Sequence, residues 1–401
     1  MKTTNKLFAL ILAVVMTVSL AACGKKPAGA PTSNAPAPTA AELSNKIDLS
    51  TTQFETAERF SEGLAWVNYM DCSTLINKEG DIIYQADGKL QLCSPVQDGV
   101  CYYKKSSSEY GILDKEGNIL YKTSGNETIL AYGDGKFLSG RTESGFNQHG
   151  KSIGAIDKNG KEVTEFVSID DDIYIDLEVE WKYLDDGIFY DVSAKGEFPW
   201  VFDTTNGKLR NNNTDDSWKF PIEETTKSEN GKIWVTAGKG LTTFDMHEWE
   251  PIKQIDSSKE KSYEIAMVCS IVGKTGVVDG VYYDLNGEKI AEVDLYQDQV
   301  IERGEFSEAG YAPLVMNDQG HKYITYVNKK GEQQFEPKAI NAGSKATEII
   351  NGDYFAVAYS DQHVVVIYDY TGQEKHRVEN LDVVKILGDD YIISGGKYYF
   401  F

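Results

Sequence analysis

The sequence predicts an all-β repeat array, most simply a β-propeller of about eight blades within a range of seven to nine. An open solenoid of stacked β-hairpins is the competing architecture. Two observations carry this. A strand–Asp/Asn–turn–Gly pattern recurs eight times along 401 residues. Between the copies lie short pieces rich in Tyr, Ile, Val and Phe, the composition of pleated, half-buried strands.

The pattern is cleanest at Tyr110-Gly111-Ile112-Leu113-Asp114-Lys115-Glu116-Gly117. An Asp or Asn at the first corner can accept a hydrogen bond from a backbone N–H two residues on, and the Gly that follows takes φ > 0 without steric cost. The corners are Asn77, Asp114, Asp157, Asp203, Asp245, Asp284, Asn328 and Asp369. They lie 37, 43, 46, 42, 39, 44 and 41 residues apart, a period of propeller-blade size. The fifth copy is degenerate, with Glu248 at the glycine position. Each period reads as four extended pieces, the second running from Gly99 through Tyr110–Leu113 and Asn118–Lys122 to Glu127–Tyr132. Asp98-Gly99, Asp134-Gly135, Asp186-Gly187, Asn230-Gly231 and Asn351-Gly352 precede many of the first pieces. Only residues 43–58 offer even a helical turn. The tail, through Asp389–Ser394 and Lys397–Phe401, reads as the first half of one more period, and residues 46–58 are expected to supply its missing outer strands, closing the ring and removing free edges.

Residues 1–22 read as an export signal. Lys2 and Lys6 give a positive start, and Leu7–Leu20 an apolar run short for a membrane span. Leu20-Ala21-Ala22-Cys23-Gly24 resembles a bacterial lipoprotein lipobox. The resemblance implies cleavage before Cys23, a diacylglyceryl group on its sulfur and a further acyl chain such as palmitate on its amine. Several chains make a durable membrane anchor. Residues 23–42 then form a disordered Ala/Pro/Thr-rich tether, and 43–401 the β-repeat domain. The expected address is the outer face of the cytoplasmic membrane, or the outer membrane in a Gram-negative host.

The chain carries 40 Lys+Arg against 62 Asp+Glu; without Lys2 and Lys6 the balance is 38 against 62, a net charge of −24. Such a surface disfavours nucleic acid and anionic lipid heads and suits basic partners, cations or neutral sugars. Charge of this size also simply keeps a monomer soluble. Cys72, Cys93, Cys101 and Cys269 show no metal or redox spacing and are expected as free thiols; Cys93 and Cys101, placed on successive blades, are not expected to bridge.

Phe60-Ser61-Glu62-Gly63-Leu64-Ala65-Trp66-Val67 and Phe306-Ser307-Glu308-Ala309-Gly310-Tyr311-Ala312-Pro313-Leu314-Val315 resemble the opening of WG-repeat proteins, and Tyr110–Gly117 resembles that family's Trp-Gly-Tyr-Ile-Asp-Lys-x-Gly half. Tyr110 and Ile153 stand where the family has Trp. The resemblance implies a β-repeat at the cell surface and no particular reaction.

No catalytic motif emerges, and no cofactor is expected. Asp170, Asp172, Asp176 and Glu178 share one face of an acidic strand that could offer oxygens to Ca²⁺, although a solvated edge kept from pairing by its charge explains them more simply. Gly150-Lys151-Ser152-Ile153-Gly154 has the letters of a nucleophile elbow but leads into a strand, not the helix such an elbow needs. The five histidines show no zincin spacing, and His321 and His363 read as loop residues ahead of second strands. Most of the 24 Tyr and 6 Trp should pack between blades; Trp218 and Trp249, in polar surroundings, are the candidates for stacking on a sugar. The expectation is a non-catalytic envelope binding module for a protein or glycan. A carbohydrate-active enzyme and a ligand-free spacer are the alternatives.

Overall fold

The computed structural model describes residues 46–145, 148–169, 181–192, 200–211, 218–219, 227–237, 239–258, 269–295, 299–340 and 349–401. Cys23 and the acidic strand with Asp170, Asp172, Asp176 and Glu178 lie outside the described residues, as does the side chain of Trp218.

Consecutive strands pair antiparallel into nine sheets among the described residues, eight of four strands and one of three. Blade 1 holds β1 (Thr56–Ala57), β2 (Leu64–Tyr69), β3 (Cys72–Asn77) and β4 (Ile82–Gln85). Blade 2 holds β5 (Leu92–Cys93), β6 (Val100–Ser106), β7 (Glu109–Asp114) and β8 (Ile119–Lys122). Blades 3 to 8 follow over 127–169, 181–211, 218–256, 269–292, 300–339 and 350–379. Blade 9 has only Ile386–Leu387, Tyr391–Ser394 and Lys397–Phe400.

Alternation along the second and third strands of each blade sends one set of side chains to each neighbour. In β2, Leu64 and Trp66 pack with Cys101, Tyr103 and Leu113 of blade 2. Ala65 and Val67 face the other way, onto Ile393 and Tyr398 of blade 9. Every adjacent pair of blades shares one such apolar cluster, nine clusters for nine blades, the last joining blade 9 to blade 1. The array is therefore a closed ring, a β-propeller and not a solenoid. Fourth strands such as Glu374–Glu379 are exposed and form the rim. First strands lie innermost, and that of blade 3, Glu127–Gly133, touches that of blade 4, Trp181–Asp185. Tyr103, Tyr282, Tyr326 and Tyr398 are almost fully buried, as expected of rings packed between blades.

All eight corner residues close the hairpin between the third and fourth strands of blades 1 to 8. Asp114 Oδ1 accepts the amides of Glu116 and Asn118 at 3.1 and 2.8 Å, and Asp157, Asp284, Asn328 and Asp369 repeat that arrangement. In blade 1 Asn77 Oδ1 accepts Asp81 N at 2.7 Å. The fifth corner corrects the sequence reading. Glu248 does not take the glycine's place; Trp249, one residue later, adopts φ 64, and its amide bonds to Asp245 O, as Gly207 N bonds to Asp203 O in blade 4. Trp249 is thereby committed to structure, edge-on to Phe244 at 5.5 Å and under Arg210.

The blades are nine, within the expected range of seven to nine; eight carry a corner, and blade 9 has three strands among the described residues. Two further expectations shift. The expected frame is also late by one strand: Glu127–Gly133 pairs with the second strand of blade 3 and opens that blade rather than closing blade 2. The Asp98-Gly99, Asp134-Gly135, Asp186-Gly187 and Asn230-Gly231 pairs accordingly join first strands to second, with φ positive at both residues. Residues 46–58 divide. Thr56–Ala57 pairs with β2 in blade 1. Ile47 N donates to Gly80 O at 2.7 Å, and a Cβ on Gly80 would meet Ile47 O, just as one on Gly117 would meet Ile83 O of the preceding outer strand. Residues 46–54 thus occupy the place of blade 9's fourth strand without laddering onto it, and Phe54 N bonds to Gly396 O at 2.8 Å. The anticipated helical turn is one Asp48-capped turn, Thr52 N bonding to Asp48 O and Ser50 N to Asp48 Oδ1.

Candidate binding site

The ring's inner strands are uneven. β1 and β5 have two residues each, whereas blade 3 opens with the seven of Glu127–Gly133. Beside β1 and β5 a cavity of about 630 Å³ opens at the inner ends of blades 9, 1 and 2. Its wall is mostly apolar: Phe60, Leu64, Trp66, Leu90, Leu92 and Ile386. Polar groups come from Glu58, Arg59, Ser61, Asn68, Ser73 and Gln91.

Most of these are already engaged. Arg59 donates to Leu387 O at 2.7 Å, Ser61 Oγ to Val96 O, and Trp66 Nε1 to Ser94 O at 2.9 Å. Ser73 Oγ donates to Asn68 Oδ1 and accepts Leu90 N. Phe60 packs on Tyr391 and Tyr398 with centroids 5.4 and 4.9 Å apart. These bonds fix much of the wall, while Gln91 and Glu58 stay exposed on it. A concave, largely apolar, preformed site of this volume suits binding.

Acid–base work needs converging carboxylates, and Glu58, exposed, is the one carboxylate lining the cavity. The buried acids lie elsewhere. Glu127 accepts hydrogen bonds from Ser139, Arg141 and Tyr121 in and beside blade 3. Asp369 accepts from Thr371, Gln373 and Lys375 at its corner. Among the described residues no three His, Cys, Asp or Glu side chains are grouped to hold a metal.

Asp203 is almost fully buried and forms the best-defined polar cluster. Its carboxylate accepts Thr205 N and Oγ1, Asn206 Nδ2 and, at 2.8 Å, His247 Nδ1. Asp186 lies 3.2 Å from Nε2 of the same imidazole. Burial alone would raise the Asp203 pKa, but Thr205 and His247 hold it below the ordinary carboxylate range. Burial would likewise lower that of His247, yet its two acidic partners raise it above the free value. The trio joins the corners of blades 4 and 5 and opens onto no described cavity.

The four described cysteines are free, Cys72 and Cys101 buried and the others half-buried. Cys93 and Cys101 sit on β5 and β6, adjacent strands of blade 2 and not successive blades, since Cys93 pairs with Tyr103. Burial pushes both thiols up to about 12, so they are protonated and weak nucleophiles. Ser152 lies inside a continuous strand, paired with Arg141 and Ser168, with no helix behind it. His321 begins the third strand of blade 7 and His363 precedes that of blade 8; neither is ahead of a second strand.

Fold and cavity together define a nine-bladed β-propeller with an apolar recess on its inner wall. No protein-family model matches the chain, and no curated protein does. Among solved structures it is similar to BamB from Moraxella catarrhalis, 15% identical over 86% of this chain and 95% of that one, TM-score 0.36. It is also similar to the WD40 domain of SCAP from fission yeast (10%, 87% and 94%, TM-score 0.43) and to a eukaryotic initiation factor (12%, 83% and 86%, TM-score 0.46). These likenesses concern fold alone.

Proposed function

We propose that the protein is a non-catalytic binding module of the bacterial cell envelope, held at a membrane face through lipid on Cys23, with its ligand, a protein or glycan segment, seated in the inner cavity of blades 9, 1 and 2. The observation that carries the binding reading is the preformed apolar recess with a single lining carboxylate. The address rests on the lipobox-like Leu20-Ala21-Ala22-Cys23-Gly24. A photo-crosslinking side chain at Leu92, in intact cells, should give a discrete adduct that the same group at rim residue Ile252 does not. Identical adducts from both positions, or none from Leu92, would remove the cavity from the proposal. In the same cells Cys23→Ala should release the protein from the membrane fraction; retention there would refute the anchor.

A further inference from the structure

Resting on that binding reading, we infer that the cavity's ligand is an extended basic peptide segment with apolar anchoring side chains, not a glycan. Sugar recognition by stacking needs an exposed aromatic face. The cavity has two aromatic side chains and neither offers one. Trp66 is 5% exposed and packs in the blade 1–2 core, its Nε1 tied to Ser94 O. The Phe60 ring is taken by Tyr391 and Tyr398. Leu92, 38% exposed, belongs to an aliphatic part of the wall, with exposed Glu58 and Gln91 beside it. The aliphatic part excludes hydroxyl-rich rings, since each buried hydroxyl without a partner costs about 1–3 kcal/mol. It accepts Leu-, Val- or Ile-like side chains.

Backbone geometry and charge point the same way. β1 and β5 each ladder on one side only, to β2 and β6, so their axis-facing edges are open to an added strand. Glu58 lines the cavity and is exposed, whereas Glu55 is paired with Lys89 and Glu62 accepts the amides of Asp98 and Gly99. The nearby cations are spent: Arg59 on Leu387 O, and Lys89 between Glu55 and Asp71. The chain's net charge of −22 steers the same sign of partner toward it. An alternating apolar/basic strand would seat its apolar residues on the Leu92 wall and turn a lysine to Glu58.

The test is fluorescence anisotropy with labelled acetyl-(Lys-Leu)₄-amide against acetyl-(Lys-Ser)₄-amide, acetyl-(Glu-Leu)₄-amide and chitotetraose. The Lys-Leu peptide should bind at least tenfold more tightly than each of the others. Leu92→Asp and Glu58→Lys, both exposed positions, should weaken it at least tenfold. Loss in Leu92→Asp despite its added negative charge separates seating from bulk attraction. Equal binding of the Lys-Leu and Lys-Ser peptides, or indifference to both substitutions, would overturn the peptide assignment. Chitotetraose binding lost in Leu92→Asp would overturn the peptide while leaving a binding module. Silence from every probe, together with no adduct from Leu92 in cells, would remove both.

Discussion

Replacing His247 with Gln should destabilise the propeller in a way that fades as pH rises. The imidazole lies between Asp203, whose side chain is 1% exposed, and Asp186, 52% exposed. Protonated, it makes a charge-assisted bond to the buried acid worth about 1.5–3 kcal/mol. The exposed Asp186 adds under about 1 kcal/mol. Thr205 and the Arg210 guanidinium, which bonds to His247 O, complete its surroundings. Neutral, the ring keeps one ordinary hydrogen bond to Asp203, worth about 0.5–1.5 kcal/mol. Because folding raises the His247 pKa, the charged contribution is complete below about 6.5 and disappears as pH climbs through the higher folded value. Asp203 is depressed, so its own contribution is lost only as pH falls below about 4, outside the window. Urea unfolding at pH 5.5 and pH 9 should therefore show a wild-type-minus-H247Q gap of about 2–4 kcal/mol shrinking toward about 1 kcal/mol. The other histidines cancel in the difference. A gap that stays constant or widens with pH would refute the assignment.

Two more perturbations test the ring itself. Gly99→Ala, at φ +73 with open space around the new methyl, should cost about 1–2 kcal/mol, whereas Gly117→Ala, at φ +82 and aimed 2.3 Å from Ile83 O, should cost visibly more, because a backbone carbonyl of the neighbouring blade must move; equal unfolding midpoints would show that the blades are not docked through that turn. Removing residues 46–54 takes Ile47, Leu49 and Phe54 out of the blade 9–1 cluster and should lower the thermal midpoint by more than 5 °C, and an unchanged midpoint would mean that closure does not depend on them.

The corners were readable because an Asp four residues ahead of an amide and a Gly in the left-handed region leave a local signature. Asp114 and Gly117 announce their turn without any tertiary help. Trp249 did not, since nothing local marks a tryptophan for positive φ; packing on Phe244 and Arg210 holds it there. Phase was hidden for a related reason. Strong sequence similarity starts at the second strand of each blade, while the inner strand before it is short and variable, as Leu92–Cys93 illustrates. The misplacement of Cys93 and Cys101 followed from that frame. The cavity was illegible because its wall joins residues of blade 1, blade 2 and Ile386 of blade 9, far apart in the chain, and the Asp203–His247 contact because its partners are 44 residues apart. Cys23 and the acidic strand at Asp170–Glu178 belong to stretches outside the described residues.

The seam between blade 9 and blade 1 is built from both ends of the described chain: Phe54 bonds to Gly396, and Tyr398 Oη donates to Glu58 O at 2.6 Å. A ribosome emitting this protein must reach Tyr398 before the circle can lock. Until then, blades 1 and 8 each present a bare apolar flank. Once locked, any tug on the chain ahead of Lys46 would be received at that seam first, because Ile47, Leu49 and Phe54 are packed into it.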